Sequence, residues 1–333
     1  MVDFTLVILQ SLIISKESNG AIQMKLENKA MLFKVDFSIT SGRKVDKEVS
    51  SKIADDYNVS GGSQASGNFN KITIAQKYIK PFQDIKRKVE QAVKQNTLPY
   101  LHDSDNTYLL PNNRIMNISK IWRDAEREWE TAKDELVNGK YHEALQEAKK
   151  RLNDSGGMFR YDDYPDVEDF VAKFKMQKFL RPVPSAHGLE MLTGLSEIEA
   201  KRIKDEVEQS MNESLESSVE SLYNKIKDEM NGLISVLDKD NPRICETRID
   251  GLNHLIRIID CLNFTNDDKL KDIQQYMKDN LLFVPASLRG NKPAQTRAIN
   301  HARKVLQMIF VNDVADNQEQ PLTAMEKLYG FGS

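Results

Sequence analysis

The feature that most constrains the fold is one long amphipathic repeat in the C-terminal half of the chain. From Ile203 to Leu237, apolar residues recur at gaps of four or three, with a mean spacing near 3.8 residues. This spacing indicates one face of an α-helix, and Ser196 followed by Glu199 is a capping-box pattern at its start. About 42 residues at about 1.5 Å each give a helix of roughly 63 Å. The spacing exceeds the period of about 3.5 residues that produces a left-handed coiled coil, so a supercoiled rod is not predicted.

The segment Asp240-Asn241-Pro242 is predicted to end this helix and to begin another, because proline suits the first turn of a helix and not its interior. The second helix is predicted to fold back over the C-terminal half of the first and to form a long helical hairpin. Further helices are predicted near residues 267–282 and 293–311, before a polar tail at 312–333. The first half of the long helix has no predicted cover, so its apolar stripe is predicted to bind a partner. The residues of this predicted partner-binding face are Ile203, Val207, Met211 and Leu215.

The N-terminal half is predicted to be a small α+β part. Apolar residues alternate from Phe33 to Ile39, as in a strand with one buried face, and residues 98–101 and 108–110 flank a polar turn, as in a hairpin. Trp122 and Trp129 share one side of a predicted helix that pairs with the next. The fold class is therefore mainly α with a small α+β N-terminal part. The predicted domains are a head at residues 24–185 and the helical hairpin with the C-terminal helices at 186–311.

An apolar run at residues 4–14 is too short to span a bilayer and has no basic residue before it. We therefore expect no membrane association. Met24 and Met31 both precede the first predicted strand, so residues 1–23 are expected to be an extension outside the core fold. Cys245 and Cys261 fall in one predicted helix, about 24 Å apart, which is too far for a disulfide. Free thiols indicate a reducing compartment, so a cytoplasmic location is expected.

The sequence contains none of the motifs that would indicate an enzyme. Glycines do not form a nucleotide-binding loop, there is no nucleophile elbow, and the histidines are scattered without metal-ligand spacing. The acidic run at residues 162–169 has enough charge for a divalent cation. However, it lacks the spacing of an EF-hand loop, and solvated surface is the commoner role of such runs. The sequence predicts no catalytic residue, no cofactor and no metal site.

Positive charge is concentrated in two segments. Residues 286–311 carry five basic residues and no acidic one, and residues 31–100 carry 12 basic against 7 acidic residues. Such clusters favour a phosphate backbone, because its binding releases counterions. Basic residues on a helix face are also common as plain solvated surface, and the C-terminal segment has no interleaved aromatic residues for base stacking. The candidate nucleic-acid contacts are Arg43, Lys44, Arg289, Lys292, Arg297, Arg303 and Lys304.

The residues between Met31 and Pro184 also contain short motifs in a characteristic order. These are Val35-Asp36-Phe37-Ser38-Ile39-Thr40-Ser41-Gly42-Arg43-Lys44, then Lys80-Pro81-Phe82, then Leu109-Leu110-Pro111 before the tryptophan-bearing helix. In this order of motifs the chain resembles a family of uncharacterised phage and bacterial proteins, often encoded near MoxR-like AAA+ ATPases and von Willebrand A-domain proteins. The resemblance covers less than half of the chain. It implies a phage or bacterial cytoplasm and an ATPase neighbour, and it implies no catalytic residues.

Two functional hypotheses follow from the sequence. The first is a non-enzymatic interaction protein that acts with a protein partner such as an AAA+ ATPase. The alternative is a nucleic-acid-binding accessory of phage transcription or replication that binds single-stranded DNA through the basic segments. The sequence leaves the oligomeric state open.

Overall fold

The computed structural model describes residue 26 and residues 28–100, 106–154, 157–184 and 196–310. The chain divides into two compact units. Unit 1 comprises Met1–Leu32, Gln95–Arg114 and Arg181–Ser333, and unit 2 comprises Phe33–Lys94 and Ile115–Leu180. The predicted extension at residues 1–23 and the predicted polar tail at 312–333 lie outside the described residues.

This division corrects the predicted domain boundaries. Unit 1 takes three segments from the predicted head at residues 24–185, namely 24–32, 95–114 and 181–185, because apolar side chains of these segments are buried with the C-terminal helices. Ala30, Leu98 and Leu109 all belong to the hydrophobic core of unit 1. Ser218, on the long helix, also donates its hydroxyl to the carbonyl oxygen of Pro99 at 3.1 Å. Residues 24–185 are therefore not a single domain.

The protein is mainly α-helical with a small β region, as predicted. The described strands are β1 (Ala30–Ser38), β2 (Arg43–Val45), β3 (Asn70–Ile72), β4 (Leu98–Pro99), β5 (Tyr108–Pro111) and β6 (Lys175–Pro182). One sheet has the strand order β4-β5-β1-β6, and a separate ribbon pairs β2 with β3. β1 confirms the predicted alternating strand. β4 and β5 pair antiparallel, with Leu98 opposite Leu109, which confirms the predicted hairpin.

The ribbon of β2 and β3 starts at a tight turn. Gly42 has a φ of +65°, and a Cβ at this position would lie 2.7 Å from the carbonyl oxygen of Ile74, so only glycine fits here. Arg43 and Lys44, the residues after this glycine, lie in β2, opposite Ile72 and Lys71.

The helices before β6 are α1 (Lys47–Asp56), α2 (Ser63–Ser66), α3 (Gln76–Asn96), α4 (Ile115–Glu135), α5 (Tyr141–Asp154) and α6 (Val167–Val171). The core of unit 2 is aromatic. Trp122 and Trp129 are both buried, as their shared helix face predicts. The ring of Phe82 meets Trp129 edge-on at 4.9 Å between centroids, and stacks on Phe174 at 4.1 Å. Such pairs stabilise a core beyond the area that they bury.

The predicted helix pair corresponds to α4 and α5. They are joined by a turn, Leu136–Lys140, in which Gly139 has the non-helical φ of 138°. The backbone amide of Tyr141 donates to the carbonyl oxygen of Leu136, five residues earlier. The first helix of the pair therefore ends at this turn, and the chain bends there before α5.

Unit 1 contains α7 (Glu197–Leu237), α8 (Glu246–Leu262), α9 (Asp268–Asn280), α10 (Pro285–Leu288) and α11 (Lys292–Phe310). The predicted cap of α7 is confirmed, since the Ser196 hydroxyl accepts the Glu199 amide at 3.2 Å. Cys245 and Cys261 are free thiols. Cys245 is exposed and Cys261 is partly exposed. Along the part of the chain that the structure describes, no helix has the length and apolar character needed to cross a membrane.

The main cover of α7 comes from α11. Lys292, at the start of α11, donates to the carbonyl oxygen of Lys239 just beyond the end of α7. At the other end of α11, the Lys227 ammonium lies 5.0 Å from the centre of the Phe310 ring. The two helices therefore run antiparallel. α8 also contacts α7, as the predicted hairpin requires, but it packs mainly against α9.

Candidate binding pocket

One concave site of unit 2 is an open pocket of ≈ 570 Å³. One wall is formed by the turn Leu136–Lys140 and the start of α5, and the other by the chain from Tyr161 to Val167. The lining residues are Leu136, Val137, Tyr141, His142, Leu145, Tyr161, Asp162, Tyr164, Pro165, Asp166 and Val167.

The tyrosines of the pocket are held in place by packing and hydrogen bonds. The Tyr141 hydroxyl donates to the carbonyl oxygen of Pro165, which joins the two walls. Phe159 packs against Tyr161 at 5.0 Å and against Tyr164 at 4.9 Å between ring centroids. Burial raises the pKa of Tyr141 and of Tyr164 to about 12, so both remain neutral at physiological pH. The pocket therefore presents aromatic rings and phenol groups, without phenolate charge.

The charge of the pocket is negative. Asp162 and Asp166 line it and are exposed. Among the described residues, neither carboxylate has a hydrogen bond or an ion pair. No lysine or arginine belongs to the described lining. Beside it, however, the Lys149 ammonium donates to the Tyr161 hydroxyl at 3.0 Å and lies 5.5 Å from the centre of that ring. Two carboxylates without an ion pair, next to the rings of Tyr141 and Tyr164, are suited to a further cation, because both attract positive charge.

A buried ion network anchors the wall that carries Asp162. The ammonium of Lys71 lies 2.9 Å from a carboxylate oxygen of Asp46 and 2.5 Å from one of Asp163, and it also donates to the carbonyl oxygen of Met158 at 3.2 Å. Lys44 binds the same Asp163 carboxylate at 2.9 Å. The network therefore ties Asp163, next to Asp162, to the ribbon of β2 and β3.

The pKa shifts in this network agree with its pairing. Burial alone would lower the pKa of Lys71, but the hydrogen bonds to Asp163 and Asp46 outweigh it and raise the pKa. The hydrogen bond from Lys71 lowers the pKa of Asp46. Burial would raise the pKa of Asp163, yet its hydrogen bonds from Lys71 and Lys44 leave it lowered. All three groups are therefore charged at neutral pH, and the network is a structural support.

The acidic run at residues 162–169 has thus more than one role. Asp163 belongs to the ion network, whereas Asp162 and Asp166 face the pocket. Within the described residues, no group of three or more histidine, cysteine, aspartate or glutamate side chains is arranged to hold a metal ion. The sequence analysis assigns this run to solvated surface and does not predict the pocket. The available signal was the order Tyr161-Asp162-Asp163-Tyr164, in which two tyrosines flank two aspartates.

The structure corrects the predicted partner-binding face of the long helix. Met211 and Leu215 are only 2% and 4% exposed and lie in the core of unit 1. Val207 is partly buried against that core, and Ile203 is partly exposed. The physical reason is that the β4 region packs against this part of α7, next to the hydrogen bond from Ser218 to Pro99. The accessible part of the face is therefore shorter than predicted.

The predicted nucleic-acid contacts are also divided by the fold. Arg43 and Lys44 lie in unit 2, and Lys44 is paired with Asp163. In unit 1, Arg289 pairs with Glu246, and Lys292 binds the end of α7. The residues that remain exposed on α11, without a hydrogen bond or an ion pair to any described residue, are Arg297, Arg303 and Lys304.

Comparison with known proteins does not assign this site. No protein-family model matches the chain, and neither a curated protein nor a solved structure matches it.

Proposed function

We propose that the chain is a non-enzymatic interaction protein whose pocket in unit 2 receives a lysine or arginine side chain of a protein partner. The observation that carries this proposal is the combination of Tyr141 and Tyr164 with the unpaired carboxylates of Asp162 and Asp166, since the Tyr161 ring already faces the Lys149 ammonium. These groups bind a cation by charge and by their aromatic faces. An AAA+ ATPase in a phage or bacterial cytoplasm is the partner class that we propose from the family resemblance.

The expected strength of one such contact is modest. A cation over an aromatic ring contributes about 0.5–2 kcal/mol, and a charge-assisted hydrogen bond contributes about 1.5–3 kcal/mol. A single side chain is therefore expected to bind with an affinity on the order of millimolar. The pocket would act as a hot spot within a wider interface, since a few well-placed residues carry most of the energy of protein association.

A direct test uses the arginine side chain alone. We expect N-acetyl-arginine methylamide to shift the NMR signals of Tyr141 and Tyr164 saturably, with millimolar affinity. The citrulline analogue has the same shape without the charge, and is expected to leave these signals in place.

Asp162→Asn and Asp166→Asn should together weaken binding about tenfold, because each removes one negative charge from the pocket. Asp169→Asn is the matched control, since Asp169 is exposed and does not line the pocket. Equal binding of citrulline, or equal effects of the control and of the pocket variants, would refute the proposal.

A second candidate function is binding of single-stranded DNA through α11. It is favoured by the exposed side chains of Arg297, Arg303 and Lys304, which no described carboxylate neutralises. Three phosphate contacts on a single strand predict a salt-dependence slope of about −2 for the logarithm of the binding constant, from about −0.7 per contact.

A gel shift with single-stranded DNA at increasing salt tests this candidate. Changing all three α11 residues to alanine should remove most of the low-salt binding, because the counterion release is lost. The control changes Lys47, Lys52 and Lys80 to alanine, which removes the same charge from exposed positions of unit 2. The candidate fails if no complex forms at low salt, or if both triple variants bind alike.

A further inference from the structure

The Lys149 ammonium beside the pocket is placed there by α5. Tyr141, Leu145 and Lys149 recur at gaps of four residues, so their side chains share one face of this helix. Tyr141 and Leu145 line the pocket, and Lys149 follows one helical turn later at an exposed position. The face of α5 that forms one wall of the pocket therefore ends in a positive charge at the rim.

This ammonium is bound to Tyr161, on the opposite wall. Lys149 Nζ is 3.0 Å from the Tyr161 hydroxyl oxygen and 5.5 Å from the ring centre, so it lies at the hydroxyl end of the ring. Phe159 packs edge-on against the same ring, at 5.0 Å between centroids. The contact of Lys149 with Tyr161 therefore joins the two walls, as the hydrogen bond from Tyr141 to Pro165 also does.

Hydrogen-bonding capacity remains at this contact. An ammonium has three N–H donors, and Lys149 uses one of them on Tyr161. The phenol accepts that bond, so its own O–H is still a donor. In α5, no acidic residue lies three or four positions from Lys149, and both contacts of the ammonium with described residues are to Tyr161. A group of donors with one positive charge therefore lies at the rim, and no described carboxylate neutralises it.

The charges of the pocket are thus separated into two regions. Asp162 and Asp166 supply negative charge in the lining. Asp166 is the N-cap residue of α6, but its side chain makes no capping hydrogen bond. Lys149 and the Tyr161 hydroxyl supply positive charge and donors at the rim. The volume of ≈ 570 Å³ is in the range of pockets that bind a whole small ligand, so both regions can contact one ligand residue.

We infer that the pocket recognises a basic residue at the C-terminus of the partner chain. This inference rests on the proposed function and names the part of the partner that is bound. The guanidinium or ammonium of that residue lies beside Asp162 and Asp166, and its terminal carboxylate accepts hydrogen bonds from Lys149 and Tyr161. An internal arginine or lysine has a neutral amide in place of this carboxylate, and leaves the charge of Lys149 without a partner. Capture of a terminal carboxylate is a recurrent mode of peptide recognition.

The test compares two ligands that differ in one group. N-acetyl-arginine has a free carboxylate, and N-acetyl-arginine methylamide has a neutral amide in its place. NMR titration of the full chain at matched ionic strength, followed on the signals of Tyr141 and Tyr164, gives both dissociation constants. We expect N-acetyl-arginine to bind about threefold to tenfold more tightly, because its carboxylate forms a charge-assisted hydrogen bond with Lys149. Free arginine should not have this advantage, since its α-ammonium is repelled by the ammonium of Lys149.

Two variants and a matched control test the residues. Lys149→Met is expected to remove the preference for the free carboxylate and not to weaken binding of the methylamide. Tyr161→Phe keeps the ring, loses the hydroxyl, and should reduce the preference in part. Lys150→Met removes one positive charge from the next position, which is also exposed and has no hydrogen bond or ion pair to a described residue. This control should keep the preference.

The outcomes separate this inference from the proposed function. If the wild type binds both arginine ligands equally and does not bind the citrulline analogue, the pocket takes an internal basic residue, and only the C-terminal assignment is overturned. The assignment is also overturned if Lys149→Met keeps the preference as Lys150→Met does, or if free arginine binds most tightly. If no arginine ligand shifts the signals of Tyr141 and Tyr164, the proposed function and this inference both fail.

Discussion

Changing Lys71 to methionine is expected to lower the free energy of unfolding of unit 2 by about 3–5 kcal/mol, as for other buried ion pairs that lose one partner. Lys71 and Asp46 are only 3% and 4% exposed. Without the ammonium, the Asp46 carboxylate stays buried with no cation in contact, and Asp163 keeps only Lys44. Both tryptophans of the chain lie in the core of unit 2, so urea unfolding followed by their fluorescence reports on this unit.

The control for this prediction is Lys77→Met. Lys77 pairs with Glu147, but its side chain is 64% exposed, and exposed pairs contribute little to stability. The urea midpoint should therefore change little in this variant. A Lys71→Met protein that unfolds at the wild-type urea concentration would show that the network is not a support of the pocket wall.

The same network predicts an inverted pH dependence in the variant. In the wild type, the pKa values of Asp46 and Asp163 lie below the value near 3.9 of an aspartate in the unfolded chain. The stability that these two carboxylates contribute is therefore present above about pH 4, and it is lost as the pH falls through their pKa values in the folded protein. In Lys71→Met, burial without the ammonium should raise the pKa of Asp46 above its unfolded value. That variant should then lose stability as the pH rises from about 4. The difference between its free energy of unfolding and that of the wild type should increase towards pH 7.

The second large effect is expected on the long helix. Met211→Asp should destabilise unit 1 by more than about 4 kcal/mol, because it places a carboxylate in an apolar core without a partner. Ile203→Asp, two turns earlier on the same stripe of α7, should have a much smaller effect, since Ile203 is partly exposed. Hydrogen exchange is the suitable measurement, because the described core of unit 1 contains no tryptophan.

The expected pattern is a loss of amide protection along α7 and α11 in Met211→Asp, and near wild-type protection of α11 in Ile203→Asp. If the amides of α11 keep wild-type protection in both variants, the buried part of the stripe begins only after Met211. If both lose protection, the core extends to the start of α7, and Ile203 is not available to a partner.

The secondary structure could be predicted well because periodicity records which face of an element is buried. The spacing of apolar residues located α7 and its cap at Ser196, the strand β1, and the helix with Trp122 and Trp129. Periodicity does not record which neighbour covers a face. Met211 has the same spacing whether α11, the β4 region or another protein packs on it, so the sequence could not tell core from partner surface.

The candidate site could not be predicted for a related reason. Asp162 and Asp163 are adjacent in the sequence and chemically identical, but one lines the pocket and the other is buried against Lys71. What separates them is the position of β3, which is distant in the sequence. Only the tertiary structure brings such groups together.

The turn at Leu136–Lys140 also lets two helices bury residues of one short segment. Gly139 has a φ of 138°, outside the helical region, so the helical rotation of α4 is not carried through into α5. In an uninterrupted α-helix, five residues rotate the chain by roughly 140° beyond a full turn, which would place Leu136 and Tyr141 on different sides. Both are nevertheless buried, at 2% and 7% exposure. Val137, next to Leu136, is 51% exposed and lines the pocket, so one change of chain direction sets both the packing of two helices and the wall of the site.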